Sequence, residues 1–105
     1  MQNNKLQKYE SRITQIKKEL QLIGEMRPGS LTKQIYKRKD YERPYWQSSY
    51  TQNRRSKTEY VREDYVEKLQ AEIAEYKKFK ELTAEWAELA IKISKEYIAL
   101  KNNSS

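Results

Sequence analysis

Apolar residues in the first part of the chain fall at Leu6, Tyr9, Ile13, Ile16, Leu20 and Ile23, in alternating steps of three and four. That spacing puts all six on one stripe of a helix and reproduces the heptad seam of a coiled coil. Asn4 followed by Gln7 offers an N-cap with its capping-box partner. A helix is predicted over residues 4–25, roughly 33 Å long at 1.5 Å per residue. A second series runs Val66, Leu69, Ile73, Tyr76, Phe79, Leu82, Trp86, Leu89, Ile93, Tyr97 and Leu100. Its steps are again three and four, with an extra three at Phe79 to Leu82 where the seam shifts. Glu63 and Asp64 place negative charge where a helix N-terminus favours it. No Pro or Gly follows Pro44, so one long helix is predicted over 63–101, about 58 Å. The last residues, 102–105, are expected to fray.

Residues 26–62 have a different character. Pro28-Gly29 is the strongest break in the chain, and Ser30 is placed to cap a short helix holding Leu31 and Ile35. After Pro44, the stretch Tyr45 to Thr51 is rich in aromatic and hydroxyl residues. Gln52 to Ser56 reads as a turn and Lys57 to Val61 as a second strand, so a β-hairpin is predicted although its turn lacks Asn-Gly. The expected fold is therefore mainly α. It is a single domain over 1–105, an antiparallel two-helix coiled-coil hairpin with a small β-hairpin insertion at the tip. If the first helix pairs with the first half of the longer second one, Trp86, Leu89, Ile93, Tyr97 and Leu100 are left as an apolar stripe. A homodimer or a protein partner would cover it, and so would a different register of the first helix. The dimer is the preferred expectation.

Composition supports helices and narrows the chemistry. The 105 residues contain only nineteen Leu, Ile, Val and Phe, close to the range of disordered chains, yet Ala, Glu, Lys, Leu and Arg make up about half, as in long helices. There is no Cys and no His. Disulfides, thiolate nucleophiles, zinc-ribbon ligands, imidazole metal sites and Ser–His or Cys–His pairs are all excluded. Only two Asp are present, Asp40 and Asp64, so a two-metal nuclease cluster has little to draw on. No metal, no cofactor and no enzymatic activity are expected. No apolar run approaches the ~20 residues that span a bilayer, and Met1 to Lys5 has no apolar signal core. A cytoplasmic protein with no membrane contact is expected.

The net charge of +7 is local. Residues 26–62 hold ten Lys and Arg against three acids, while the flanking segments nearly cancel each other. Half of the twelve aromatic residues lie in the same segment. Basic residues neutralise phosphates and aromatic rings stack on unpaired bases, so DNA or RNA is the expected ligand. Lys33, Lys37, Arg38, Lys39, Arg43, Arg54, Arg55 and Lys57 are the candidate phosphate contacts, and Tyr45, Trp46 and Tyr50 the candidate stacking residues. The same rings could instead fix the hairpin to the helices, with the basic residues solvating a loop. Two functions follow. The first is a non-catalytic nucleic-acid-binding protein that presents a basic, aromatic tip on a dimerising stalk. The second is an adaptor or inhibitor, encoded by a phage or mobile element, that docks onto a nucleic-acid-handling complex.

Gly29-Ser30-Leu31, Pro44-Tyr45-Trp46, Tyr60-Val61 and the helical Tyr76-Lys77-Lys78-Phe79 resemble a family of small, uncharacterised bacterial proteins associated with mobile elements. The resemblance covers residues 26–82. In that family a cysteine-rich stretch lies between the first two elements and a Gly-Lys turn between the second and third. Here those places hold the cysteine-free Thr32 to Arg43 and the turn Asn53 to Lys57. The resemblance implies a helix–hairpin–helix layout and a mobile-element setting, and no particular activity.

Overall fold

A computed structural model describes Asn4 to Asn103. The elements are α1 (Asn4–Gln21), β1 (Ser30–Arg38), β2 (Tyr41–Gln52), β3 (Arg55–Val61), a 3-10 turn (Glu63–Tyr65) and α2 (Val66–Asn103). The three strands form one antiparallel sheet in the order β1-β2-β3. This overturns the expected helical hairpin with a small β insertion, because the sheet takes up nearly all of residues 30–61. The difference lies in β1, which replaces the short helix expected after Ser30. Leu31 and Ile35 are four residues apart, a step that puts two side chains on one face of a helix and of a strand alike. Thr32, Ile35 and Tyr36 then favour the extended form.

Helix α1 stops at Gln21 instead of Glu25. The amides of Leu22 and Ile23 bond back to the carbonyls of Glu19 and Leu20, tightening the last turn before Gly24. At the other end of the chain, Asn102 and Asn103 continue α2 in place of the expected frayed tail. Ser104 and Ser105 lie outside the described residues. Among the described residues, no helix is long and apolar enough to cross a membrane.

The chain divides into two compact units. One combines α1 with the part of α2 from Lys78 onward, around buried Ile16, Leu82 and Leu89. Tyr9, Ile13, Leu20, Ile23 and Trp86 pack against these three. Arg12 donates from Nε and Nη2 to both carboxylate oxygens of Glu85, at 2.6 and 2.8 Å. The Tyr97 hydroxyl lies 3.2 Å from Glu10, and Lys17 sits over the Trp86 ring. Helix α1 is thus registered against the second half of α2. Trp86 and Leu89 of the apolar stripe join the core of this unit, Ile93 is half-buried, and Tyr97 and Leu100 are exposed.

The other unit, Gly24–Lys77, contains the sheet and the start of α2. Val61, Val66 and Leu69 are its buried centre, with Leu31, Trp46 and Ile73 packed against them. Gly29 enters β1 with φ +123°, and a Cβ there would sit 2.5 Å from the Ser49 carbonyl oxygen. Only glycine accepts both conditions. Arg27 pins the linker that precedes it. Its amide bonds to the Glu72 carbonyl, and its guanidinium donates to Glu59 and lies over the Tyr50 ring.

Candidate nucleic-acid interface

The strand register sorts the side chains of the sheet into two faces. Leu31 opposes Ser48, Lys33 opposes Trp46, and Trp46 in turn opposes Val61. These residues share the face that packs on α2. Alternation along a strand then puts Thr32, Gln34, Tyr36 and Arg38 of β1 on the opposite face. With them stand Tyr41, Arg43, Tyr45 and Gln47 of β2 and Thr58 and Tyr60 of β3. This outer face is open to solvent. Tyr60 is 67% exposed, Tyr41 56% and Tyr36 40%, and Tyr45 is half-buried.

The three candidate stacking residues therefore separate. Tyr45 lies on the outer face. Trp46 is part of the packing on α2, with Lys33 over its ring at 5.7 Å. Tyr50 is held on the inner face, where its hydroxyl donates to Glu59 at 2.6 Å. Tyr36, Tyr41 and Tyr60, absent from the candidates read from the sequence, take the places of the other two. The signal for Tyr36 and Tyr41 is present as Tyr41-x-Arg43-x-Tyr45 and Tyr36-x-Arg38, a period of two that appears once these segments are read as strands, whereas Tyr60 joins them only through strand pairing.

The basic residues separate as well. Lys37, Arg38, Lys39 and Arg43 gather where β1 turns into β2, Lys33 sits mid-strand opposite Trp46, and Arg54, Arg55 and Lys57 lie where β2 turns into β3. These turns lie at opposite ends of β2, roughly 36 Å apart at ~3.3 Å per residue. At the first end β1 and β2 run past the end of β3, whose pairing with β2 begins at Trp46 and Val61. Pro44 fits there because no third strand asks for its missing amide hydrogen. Arg38 stacks on Tyr36 at 5.2 Å and its Nε donates to the Tyr36 hydroxyl. Lys37 lies 4.0 Å from Glu42. Among the described residues, Lys39, Arg43, Arg54 and Arg55 enter no ion pair.

At the second end, Asn53 and Arg54 have φ of 53° and 65°, the pair of positive angles that defines the twist-matched two-residue hairpin turn. Arg54 thus occupies a site that glycine fills most cheaply.

A cleft of about 370 Å³ opens beside β3, lined by Arg27, Glu59, Arg62, Lys68 and Glu72 among others. Its charges are mutually matched. Arg27 pairs with Glu59, Lys68 with Glu72 and Glu25, and Arg62 with Asp64. It has little unmet demand for an ion. No group of three or more acidic residues is placed to hold a metal ion among the described residues.

Fold and surface together define a small α+β protein, a three-stranded antiparallel sheet with one face packed on a helix and an aromatic, basic face open. The chain belongs to the family described as a domain of unknown function, DUF6788, whose model matches residues 6–71. That match takes in α1, all three strands and the start of α2, and so begins earlier and ends sooner than the resemblance read from the motifs. No curated protein and no solved structure matches the chain.

Proposed function

We propose that the protein is a non-catalytic, cytoplasmic nucleic-acid-binding protein whose binding surface is the outer face of the sheet. One observation carries this reading. Tyr36, Tyr41, Tyr45 and Tyr60 share a single open face with Arg38 and Arg43. Large aromatic groups left in water on a sheet face are costly unless something covers them. Rings interleaved with guanidinium groups suit a ligand that offers bases and phosphates. A setting in a phage or mobile element belongs to the same proposal and rests on the motif resemblance alone.

The test is fluorescence anisotropy with labelled oligonucleotides across a salt series. The double variant Arg38→Glu/Arg43→Glu is expected to weaken binding and reduce the salt dependence, by about 0.7 in log–log slope per lost phosphate contact. Arg54→Glu/Arg55→Glu, at the far end of β2, reports whether that turn shares the ligand. Absence of binding at low salt, to both single strands and duplex, would refute the reading.

A second reading, an adaptor that docks onto a nucleic-acid-handling protein, draws on the exposed Ile91, Tyr97, Ile98 and Leu100 near the end of α2. Sedimentation of the pure protein addresses it. A monomer would leave these residues for a partner, and a self-associated species would count against the adaptor.

A further inference from the structure

We infer that the outer face of the sheet is built for a single strand, binding about four consecutive unpaired bases with one base on each tyrosine, in the spatial order Tyr41, Tyr36, Tyr45, Tyr60. The inference rests on the nucleic-acid reading above and specifies its ligand class.

Tyr36 pairs directly with Arg43, so Tyr41 and Tyr45, two residues to either side of Arg43, are both its diagonal neighbours. Tyr60 pairs directly with Gln47, which makes Tyr45 its diagonal neighbour too. Each successive pair of tyrosines is therefore one cross-strand diagonal apart, ~7–8 Å. The rings occupy four successive rows of the sheet with one ring per row. The last three lie on one oblique line that crosses β1, β2 and β3 in turn.

That spacing selects the ligand. Bases stacked in a duplex strand rise ~3.4 Å each, less than half the distance between rings here. Bases seated on neighbouring tyrosines must be unstacked from one another and spread along an extended backbone. A duplex cannot offer its base faces in this way without being opened. Arg43 lies in the same row as Tyr36, and Arg38 in the same row as Tyr41, on the same face. The two arginines thus stand beside the first two rings of the path, where they can meet phosphates, while Gln34, Thr32 and Gln47 complete the rows of Tyr45 and Tyr60. Arg38 lies over one face of the Tyr36 ring, so a base seated on Tyr36 takes the other face or displaces the guanidinium onto a phosphate.

The test uses the full-length protein with fluorescein-labelled oligothymidylates of 2, 3, 4, 6, 8 and 12 nucleotides, a 12-nucleotide oligouridylate, and a blunt DNA duplex. Affinity should rise steeply with each nucleotide up to about four and more slowly beyond. The single strands should bind at least about fivefold tighter than the duplex, the value of one stacked base at the low end. Tyr45→Leu and Tyr60→Leu should each weaken single-strand binding by roughly 5- to 150-fold, and Tyr45→Phe and Tyr60→Phe should restore it. Ring resonances of Tyr36, Tyr41, Tyr45 and Tyr60 should shift on adding the four-nucleotide oligomer, while those of Tyr9 and Tyr76 should not. Duplex binding as tight as single-strand binding would overturn the inference and leave the broader reading standing. So would both Leu variants, folded by circular dichroism, binding as tightly as the parent. Failure of all three ligand types to bind at low salt would overturn both.

Discussion

The Arg27 guanidinium donates to the Glu59 carboxylate at 2.9 Å, joining the linker after α1 to the middle of β3. Tyr50 donates to the other oxygen of the same carboxylate. The hydrogen bond from Tyr50, followed by that from Arg27, holds Glu59 below the usual carboxylate range. Its bond to Glu59 pushes Tyr50 above the usual phenol range.

These two shifts set the edges of a pH window. A carboxylate with a lowered midpoint stabilises the fold fully above its ordinary value and loses that contribution as pH falls through the folded midpoint. A phenol with a raised midpoint contributes below its ordinary value and loses that contribution as pH rises through the folded one. The cluster should therefore weaken below about pH 4.3 and again above about pH 10. Urea unfolding across pH checks this, with Glu59→Gln expected to flatten the acid limb. Glu59 is well exposed, so solvent screening keeps the effect below ~1 kcal/mol.

Arg54→Gly should stabilise the protein by about 0.5–1 kcal/mol. The left-handed conformation at its φ of 65° costs a side chain ~1–2 kcal/mol, partly offset by the greater entropy glycine loses on folding. Thermal or urea unfolding measures the gain. If oligonucleotide affinity falls at the same time, Arg54 is held in a strained site for its charge.

Ser48→Ala should be neutral or stabilising by up to ~1 kcal/mol. Ser48 is completely buried between Leu31 and Glu59 in the register, and its hydroxyl has no hydrogen-bond partner. Removing an unmet polar group from an apolar setting saves its desolvation cost. A drop in stability greater than ~1 kcal/mol would contradict this.

Ile16→Ala should destabilise the protein by about 2–5 kcal/mol, the usual cost of emptying a packed isoleucine site. Ile16 is fully buried at the centre of the α1–α2 cluster. Val61→Ala acts on the separate sheet cluster. With no shared partners, the two losses should add within about 0.5 kcal/mol in the double variant. Chemical denaturation of the four proteins completes the cycle.

The sequence by itself determined the two helices, the turn at Asn53-Arg54 and the concentration of charge and aromatic residues in 26–62. Each depends on local signals: steps of three and four, turn-forming residues, and simple counting. It could not determine β1, because Leu31 and Ile35 share a face in a helix and in a strand. Nor could it choose where α1 docks, since both halves of α2 offer an apolar seam and only packing selects the half that carries Trp86 and Leu89. The surface needed the tertiary structure most. Tyr45 and Trp46 are neighbours in the chain, yet pleating puts one on the open face and the other against the core. Strand pairing, which acts between distant residues, brought Tyr36 and Tyr60 onto the face of Tyr45 and moved Arg54 and Arg55 to the far end from Arg38 and Arg43.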